Sequence, residues 1–143
     1  MKGEVMKSVN WLGVVVALIA GQVIGIGWYG MIFSEKWMGL TGITEAEARA
    51  APQWLMALGA LNMLVILLGL DWLIRKTGAL GWSAGLRLAL AVCVLFDLTV
   101  VSLGYIYKLE PAALLAIDGG YQLLTYGVAG LLIGGLRLKP KAG

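Results

Sequence analysis

Four long apolar runs set the pattern of this chain. The first has no charged residue between Lys7 and Glu35, and the second has none from Ala50 to Leu70. The third and fourth contain one carboxylate each, Asp97 and Asp118. Because a helix needs about 20 apolar residues to cross a hydrocarbon core of about 30 Å, each run predicts a transmembrane helix. The predicted spans cover about residues 9–33, 52–74, 83–107 and 111–136.

Composition places the whole chain in one class. Of its 143 residues, 60% are apolar and 13% are charged. A soluble domain of this size keeps much of its chain at the surface and cannot hide that much apolar area. We therefore predict an all-α integral membrane bundle of four transmembrane helices, which forms a single domain over residues 1–143 with the lipid bilayer as its solvent.

The connection between the first two spans has helical signals of its own. Within residues 31–52, Ile32, Phe33 and Trp37 recur at roughly helical spacing, which predicts a short helix lying in the membrane interface. Thr44 and Glu47 have the spacing of a capping box and predict the start of another helix. This segment is interpreted as an interfacial tether, with a lid over the bundle as the alternative.

Basic residues are divided unequally between the two sides that four spans create. The side with both termini has eight, and the other side has three. Because the richer side of a membrane protein faces the cytoplasm, we predict a multi-pass protein of the cytoplasmic membrane with both termini in the cytoplasm. This accounts for the net charge of +3 without a nucleic-acid partner. The eight are Lys2, Lys7, Arg75, Lys76, Arg87, Arg137, Lys139 and Lys141, and the three are Lys36, Arg49 and Lys108.

Small residues recur every four positions in two of the spans. Helices in lipid pack closely where small side chains let their backbones approach, so these rows predict a tight bundle, with a second face for self-association. In the third span, Asp97 follows the row and is therefore expected to face protein. The rows are Gly13, Ala17, Gly21 and Gly25, then Gly81, Gly85, Ala89 and Cys93, and the fourth span adds Gly127, Gly130 and Gly134.

Each span has one polar residue near its middle: Gln22, Asn62, Asp97 and Gln122. Their similar depth predicts a shared hydrogen-bonded network, in which Asp97 donates to Asn62 or Gln122. One interpretation is structural, since such a network fixes helix pairing. The other is a proton, ion or ligand site, because ionisable groups within a membrane are functional candidates. Asp71 and Arg75 are expected to form only a local pair, and Asp118 to shape a small polar cup.

Metal and cofactor chemistry has little support in the sequence. The chain has no histidine and a single cysteine, Cys93, and histidine is the commonest ligand for transition metals. We predict no catalytic, metal or cofactor site and no enzymatic activity.

The segment NWLGVVVALIAGQVIGIGWYGMIFSEKWMGLTG, residues 10–42, and the segment LLAIDGGYQLLTYGVAGLLIGGL, residues 114–136, carry a family resemblance. They resemble domain-of-unknown-function family 1761, uncharacterised bacterial four-helix membrane proteins. The resemblance implies a bacterial inner-membrane location and the four-helix topology, but no activity. Where that family often has His, this chain has Gln122. The positions it implies to matter are Asn10, Trp11, Trp28, Tyr29, Phe33, Trp37, Gly120 and Tyr121.

Two functions are compatible with these features. The first is a non-enzymatic small membrane module, either accessory to a larger membrane complex or a self-associating homo-oligomeric scaffold. The alternative is a small oligomeric transporter or a proton or ion permeation subunit that uses Asp97.

Overall fold

The computed structural model describes residues 8–137, and these residues form helices joined by short connections, with no strand among them. Lys2, Lys7, Lys139 and Lys141, which contribute to the predicted orientation, lie outside the described residues. The helices are α1 (Trp11–Gly27), α2 (Ser34–Thr41), α3 (Glu45–Ala50), α4 (Gln53–Thr77), α5 (Trp82–Val92), α6 (Leu98–Lys108) and α7 (Ala112–Gly135).

The predicted helix starts and ends in the first connection are present. A π-helical turn, Trp28–Ile32, extends α1, and α2 ends at Gly42 with a φ of 72°, a conformation that favours glycine. The capping box before α3 is formed: the hydroxyl of Thr44 accepts the backbone N–H of Glu47 at 3.2 Å. In return, the backbone N–H and the hydroxyl of Thr44 donate to Glu47, and these hydrogen bonds lower the pKa of that carboxyl.

Three helical segments are long and apolar enough to cross a membrane: Trp11–Ile32, Gln53–Thr77 and Trp82–Lys108. They coincide with the first three predicted spans. The last of them joins α5 and α6 through a π-helical turn, Cys93–Asp97, in which the N–H of Leu98 donates to Cys93. The fourth predicted span corresponds to α7, a helix of 24 residues that is not among the three.

The reason α7 is less apolar lies in its position. It packs against α1, α4, α5 and α6, and has ten buried residues, more than any other described helix. A helix covered on several sides by protein needs little lipid-compatible surface, so it tolerates glycine and polar side chains. Its buried positions include Gly119, Thr125, Tyr126, Gly130 and Gly134.

Glycine contacts hold α5 directly against α7, as the small-residue row predicts. The backbone N–H of Gly81 donates to the carbonyl of Gly134 at 2.9 Å, which is a hydrogen bond between two helix ends. Further along, a Cβ added to Gly85 would overlap the carbonyl oxygen of Gly130. Only residues without a side chain allow this approach, and the resulting van der Waals contact is what drives helix association in lipid.

The row of small residues in α1 also makes interhelical contacts. Gly13, Ala17 and Gly21 are buried. A Cβ on Gly13 would lie 2.9 Å from the Cα of Ile133 in α7, and one on Gly21 would overlap the sulfur of Met63 in α4. The α1 row therefore contacts both α7 and α4.

Candidate functional site

One buried acidic side chain, Asp71 of α4, contacts residues near both ends of the described part of the chain. The carboxylate of Asp71 is fully buried and accepts hydrogen bonds from Arg75 Nε at 2.8 Å and from Arg137 at 2.7 Å. The expected pair with Arg75 is present, but the second arginine makes it a three-residue charged centre and not a local surface contact. We call Asn10, Asp71, Arg75 and Arg137 the Asp71 cluster.

Asn10 joins this cluster to two further helices. Its backbone N–H donates to Asp71 at 3.2 Å, and its side-chain amide donates to the carbonyl of Ile133 in α7 at 2.8 Å. The amide oxygen accepts from Gly13 at 3.1 Å, so Asn10 is also the N-cap of α1. One buried side chain thus fixes the start of α1 against α4 and α7.

A second carboxylate lies at the opposite end of the bundle. Asp118 on α7 accepts the hydroxyl of Tyr29 at 2.8 Å on one oxygen and the hydroxyl of Tyr105 on the other. Tyr29 belongs to the π-helical turn after α1, and Tyr105 belongs to α6. With Trp28 and Tyr121 these residues form the Asp118 cluster, which joins three helical segments.

Aromatic rings pack around this carboxylate. The indole N–H of Trp28 donates to the carbonyl of Ile117 at 3.0 Å. The ring of Trp28 lies over Gly120, where a Cβ would come within 2.9 Å of it. The ring centroids of Tyr29 and Tyr121 are 5.1 Å apart, a separation typical of attractive aromatic pairs. The predicted polar cup is therefore filled by aromatic side chains.

The four mid-span polar residues do not bond to one another. No hydrogen bond joins any two of Gln22, Asn62, Asp97 and Gln122, all of which are described, so the predicted single network is wrong in its connections. Gln22 instead donates to the sulfur of Met63 at 3.7 Å. The side chain of Asp97 interacts with Tyr126, and its Oδ2 is buried without a hydrogen-bond partner. One physical reason is the π-helical turn, since its i+5 bond displaces Asp97 from the regular four-residue row.

These residues nevertheless surround one feature, a groove between α4 and α7. Asn62 and Gln122 line it directly, and so do Met63 and Tyr126, the partners of Gln22 and Asp97. Its volume is about 230 Å³. We call it the lateral groove, and it is lined by Gly59, Asn62, Met63, Ile66, Leu67, Leu70, Tyr121, Gln122, Thr125, Tyr126 and Ala129.

The chain was compared with known proteins. A family model described as a protein of unknown function, DUF1761, matches residues 12–134, which is most of the chain. This chain belongs to the DUF1761 family. The family resemblance of its first and last spans is thereby confirmed. Neither the curated proteins nor the solved structures contain a match to it.

Six of the eight positions that the family resemblance implies to matter lie together in this DUF1761 protein. Trp28, Tyr29, Gly120 and Tyr121 meet in the Asp118 cluster, with Phe33 against Trp28 and Trp37 against Tyr29. Asn10 belongs to the Asp71 cluster at the other end. Trp11 is exposed at the start of α1, where an interfacial indole suits a membrane boundary.

Four residues of the candidate site were missed by sequence reasoning: Arg137, Tyr105, Thr125 and Tyr126. Arg137 was counted only toward membrane orientation, because it lies 66 residues from Asp71. Tyr105 precedes Asp118 by 13 residues across a tight connection, and that short separation was a signal that was not used. Thr125 and Tyr126 lie within the fourth apolar run, but the sequence gives no direction for their side chains.

Proposed function

We propose that this DUF1761 protein crosses the bacterial inner membrane four times, with both termini in the cytoplasm. Support for the fourth span comes from the length of α7: its 24 residues extend about 36 Å. Support for the orientation comes from the basic residues Arg75, Lys76, Arg87 and Arg137, which follow the positive-inside pattern. Two reporters test the orientation when each is fused to the C-terminus: one is active only in the cytoplasm and the other only in the periplasm. We expect activity from the cytoplasmic reporter only. Activity from the periplasmic reporter alone would contradict the orientation.

Within that membrane, we propose that it acts as a non-enzymatic module that associates with another membrane protein or with a second copy of itself. The side chains of both acidic residues described above are occupied by hydrogen bonds within the chain. Asp71 is held by Asn10 and two arginines, and Asp118 by two tyrosines. These groups therefore act as ties between helices.

The observation that carries this proposal is the uneven packing of α4. Its second half is in the core, where Leu67, Leu70 and Ile74 are buried. In its first half, every residue from Gln53 to Gly59 is exposed. The first two turns of α4, residues 53–59, thus extend beyond the packed bundle. We propose that a partner helix packs there.

Disulfide crosslinking in native membranes tests this proposal. Leu58→Cys on the first half of α4 and Leu103→Cys on α6 form a matched pair, because these leucines are 51% and 53% exposed. Both variants carry Cys93→Ala, so that no second thiol is present. We expect a discrete adduct from the Leu58→Cys variant and none from the other. A homodimer would indicate self-association, and a larger adduct of constant mass would indicate an accessory role. Equal crosslinking of both variants, or none, would refute the proposal.

One observation favours a second function, a proton or ion permeation subunit. Asp97 carries a buried oxygen without a hydrogen-bond partner, next to Tyr126 and one turn from Cys93. An ionisable group in that state has capacity to exchange a proton. Proton flux into proteoliposomes that is lost in the Asp97→Asn variant would favour this function. Absence of flux in the unchanged protein would exclude it.

A further inference from the structure

The lateral groove has a polar floor and an apolar wall. Asn62 and Gly59 on α4 are exposed, so the groove opens at the surface of the bundle. Gln122, Thr125 and Tyr126 on α7 line the same groove. The wall beside them is aliphatic and comes from Met63, Ile66, Leu67 and Leu70 of α4.

Thr125 is an independent sign that this groove takes a ligand. The residue is only 8% exposed, and its hydroxyl oxygen forms no hydrogen bond of normal geometry, although it interacts with the neighbouring Tyr121. A buried hydroxyl without a partner is less stable than a bonded one. In a membrane helix such a hydroxyl commonly bonds to a carbonyl of its own helix. Thr125 forms no such bond, so its buried hydroxyl retains unused hydrogen-bonding capacity beside the groove.

The lining also limits the chemistry of the ligand. Among residues 8–137, no charged residue lines the groove, and a charged group in such a place would be strongly disfavoured. The volume of about 230 Å³ is below the roughly 300–1,000 Å³ of pockets for drug-sized molecules. A head group fits in that space, whereas the tail of a lipid would have to leave through the open side.

From these features, we propose that the lateral groove binds the uncharged, oxygen-bearing head group of a membrane amphipath. The amides of Asn62 and Gln122 and the hydroxyl of Thr125 would bond to its carbonyl or hydroxyl oxygens. The apolar chain would follow Met63 and Ile66 toward the lipid. A quinone and a neutral glycerolipid share this chemistry. The inference rests on the proposed placement of the bundle in a bilayer.

Two glycines of α4 provide a sharp test. Gly59 lines the groove and Gly69 does not, yet a Cβ at either position meets nothing within 4 Å. Gly59→Leu therefore adds a side chain at the edge of the groove where a Cβ meets no neighbour, and Gly69→Leu makes the same change on the same helix elsewhere. A second pair is Thr125→Val, which removes the buried hydroxyl, and Thr99→Val on α6, where the hydroxyl already bonds to its own backbone.

The probes are decylubiquinone, 1,2-dioctanoylglycerol and, as a charged control, dodecyl phosphate. Native mass spectrometry of the purified full chain, titrated with each probe, gives the dissociation constant. We expect saturable binding of one neutral probe or both, at least tenfold weaker binding in the Gly59→Leu variant, and about fivefold weaker binding in Thr125→Val. Gly69→Leu and Thr99→Val should stay within twofold of the unchanged protein, and dodecyl phosphate should bind at least tenfold more weakly.

Each result has a defined meaning. Binding of one neutral probe identifies the source of the head group, and binding of both supports the shared chemistry. The proposal is overturned if neither neutral probe binds, or if Gly59→Leu binds as well as Gly69→Leu. Shielding of Cys93 from a thiol-reactive dye shows that each variant is folded, because that residue is buried. Loss of probe binding with intact crosslinking through Leu58 would refute this inference alone, and the reverse result would refute the partner proposal alone.

Discussion

The Asp71 cluster allows a quantitative prediction, because one substitution removes its negative charge while keeping its shape. Asp71→Asn leaves an oxygen that still accepts the backbone N–H of Asn10, now at 3.2 Å from Oδ1. What it removes is the charge that compensates Arg75 and Arg137. The side chain of Arg137 is 8% exposed and that of Arg75 is 17% exposed, so neither guanidinium is fully hydrated in its present position.

The expected magnitude follows from removing the ion pairs that Asp71 makes with Arg75 and Arg137. Removing one partner of a buried ion pair typically costs about 3–5 kcal/mol. Because the asparagine retains one hydrogen bond, we expect the lower end, about 3 kcal/mol. For a chain of this length, that corresponds to a decrease of roughly 9 °C in the melting temperature. Arg75→Gln should cost less, about 1 kcal/mol, since its side chain is the more exposed and Arg137 still compensates Asp71.

The protein contains its own reporter for this measurement. Cys93 is the single cysteine of the chain and is fully buried, so a thiol-reactive fluorescent dye reports unfolding in detergent micelles. The decisive comparison is the double variant Asp71→Asn with Arg137→Gln. Because it removes both charges, it should be less destabilised than the sum of the two single variants. A loss below about 0.5 kcal/mol for Asp71→Asn, or strict additivity in the double variant, would falsify the reasoning.

Three further predictions use the same assay or hydrogen exchange. Gly85→Ala should lower the free energy of unfolding by about 1–3 kcal/mol, because it overpacks the contact of α5 with α7. Gly104→Ala, where a Cβ meets nothing within 4 Å, should leave stability unchanged or slightly raise it. Equal melting temperatures for the two variants would argue against the contact. Tyr29→Phe should lower the free energy of unfolding by about 1.5–3 kcal/mol, because it removes a hydrogen bond to a carboxylate. Tyr107→Phe, at an exposed site, should change the free energy of unfolding by less than about 0.5 kcal/mol. Since the folded-state pKa of Glu47 is lowered, its contribution to α3 is present above its unfolded pKa and is lost as the pH falls through the folded value. Lower protection factors of the α3 amides on acidification, taken from exchange rates corrected for the intrinsic pH dependence of exchange, check this, and unchanged protection factors would contradict it.

The helices were predictable because lipid imposes a simple rule on sequence. A run of about 20 apolar residues has few alternatives to a helix, and three such segments are found where the runs predicted them. Close packing of α5 on α7 was also predictable, since glycine rows have one common structural use in membranes. The capping box of α3 needed only local spacing.

The site was less predictable, because its contacts join residues that are distant in sequence. No residue near Asp71 in the sequence signals its contact with Arg137. The sequence therefore predicts only the local pair of Asp71 with Arg75, whereas the structure has a buried centre with both arginines. The displacement of Asp97 depends on one i+5 hydrogen bond from Leu98 to Cys93, and no residue pattern announces such a turn. Asn62 and Gln122 line one groove, but apolar runs give only the depth of a residue along its span and not its direction around the helix.

The distribution of interhelical contacts explains why different parts of this bundle should determine its stability and its binding. Glycine contacts and the Asp71 cluster fix α1, α5, α7 and the second half of α4 to one another. The first two turns of α4, residues 53–59, are exposed throughout, although Gly59 lines the lateral groove. Stability should therefore depend on the second half of α4, whereas ligand and partner binding should depend on the first. A ligand in the groove would fill the space beside that first half, so that it would also position the surface on which we propose a partner helix packs.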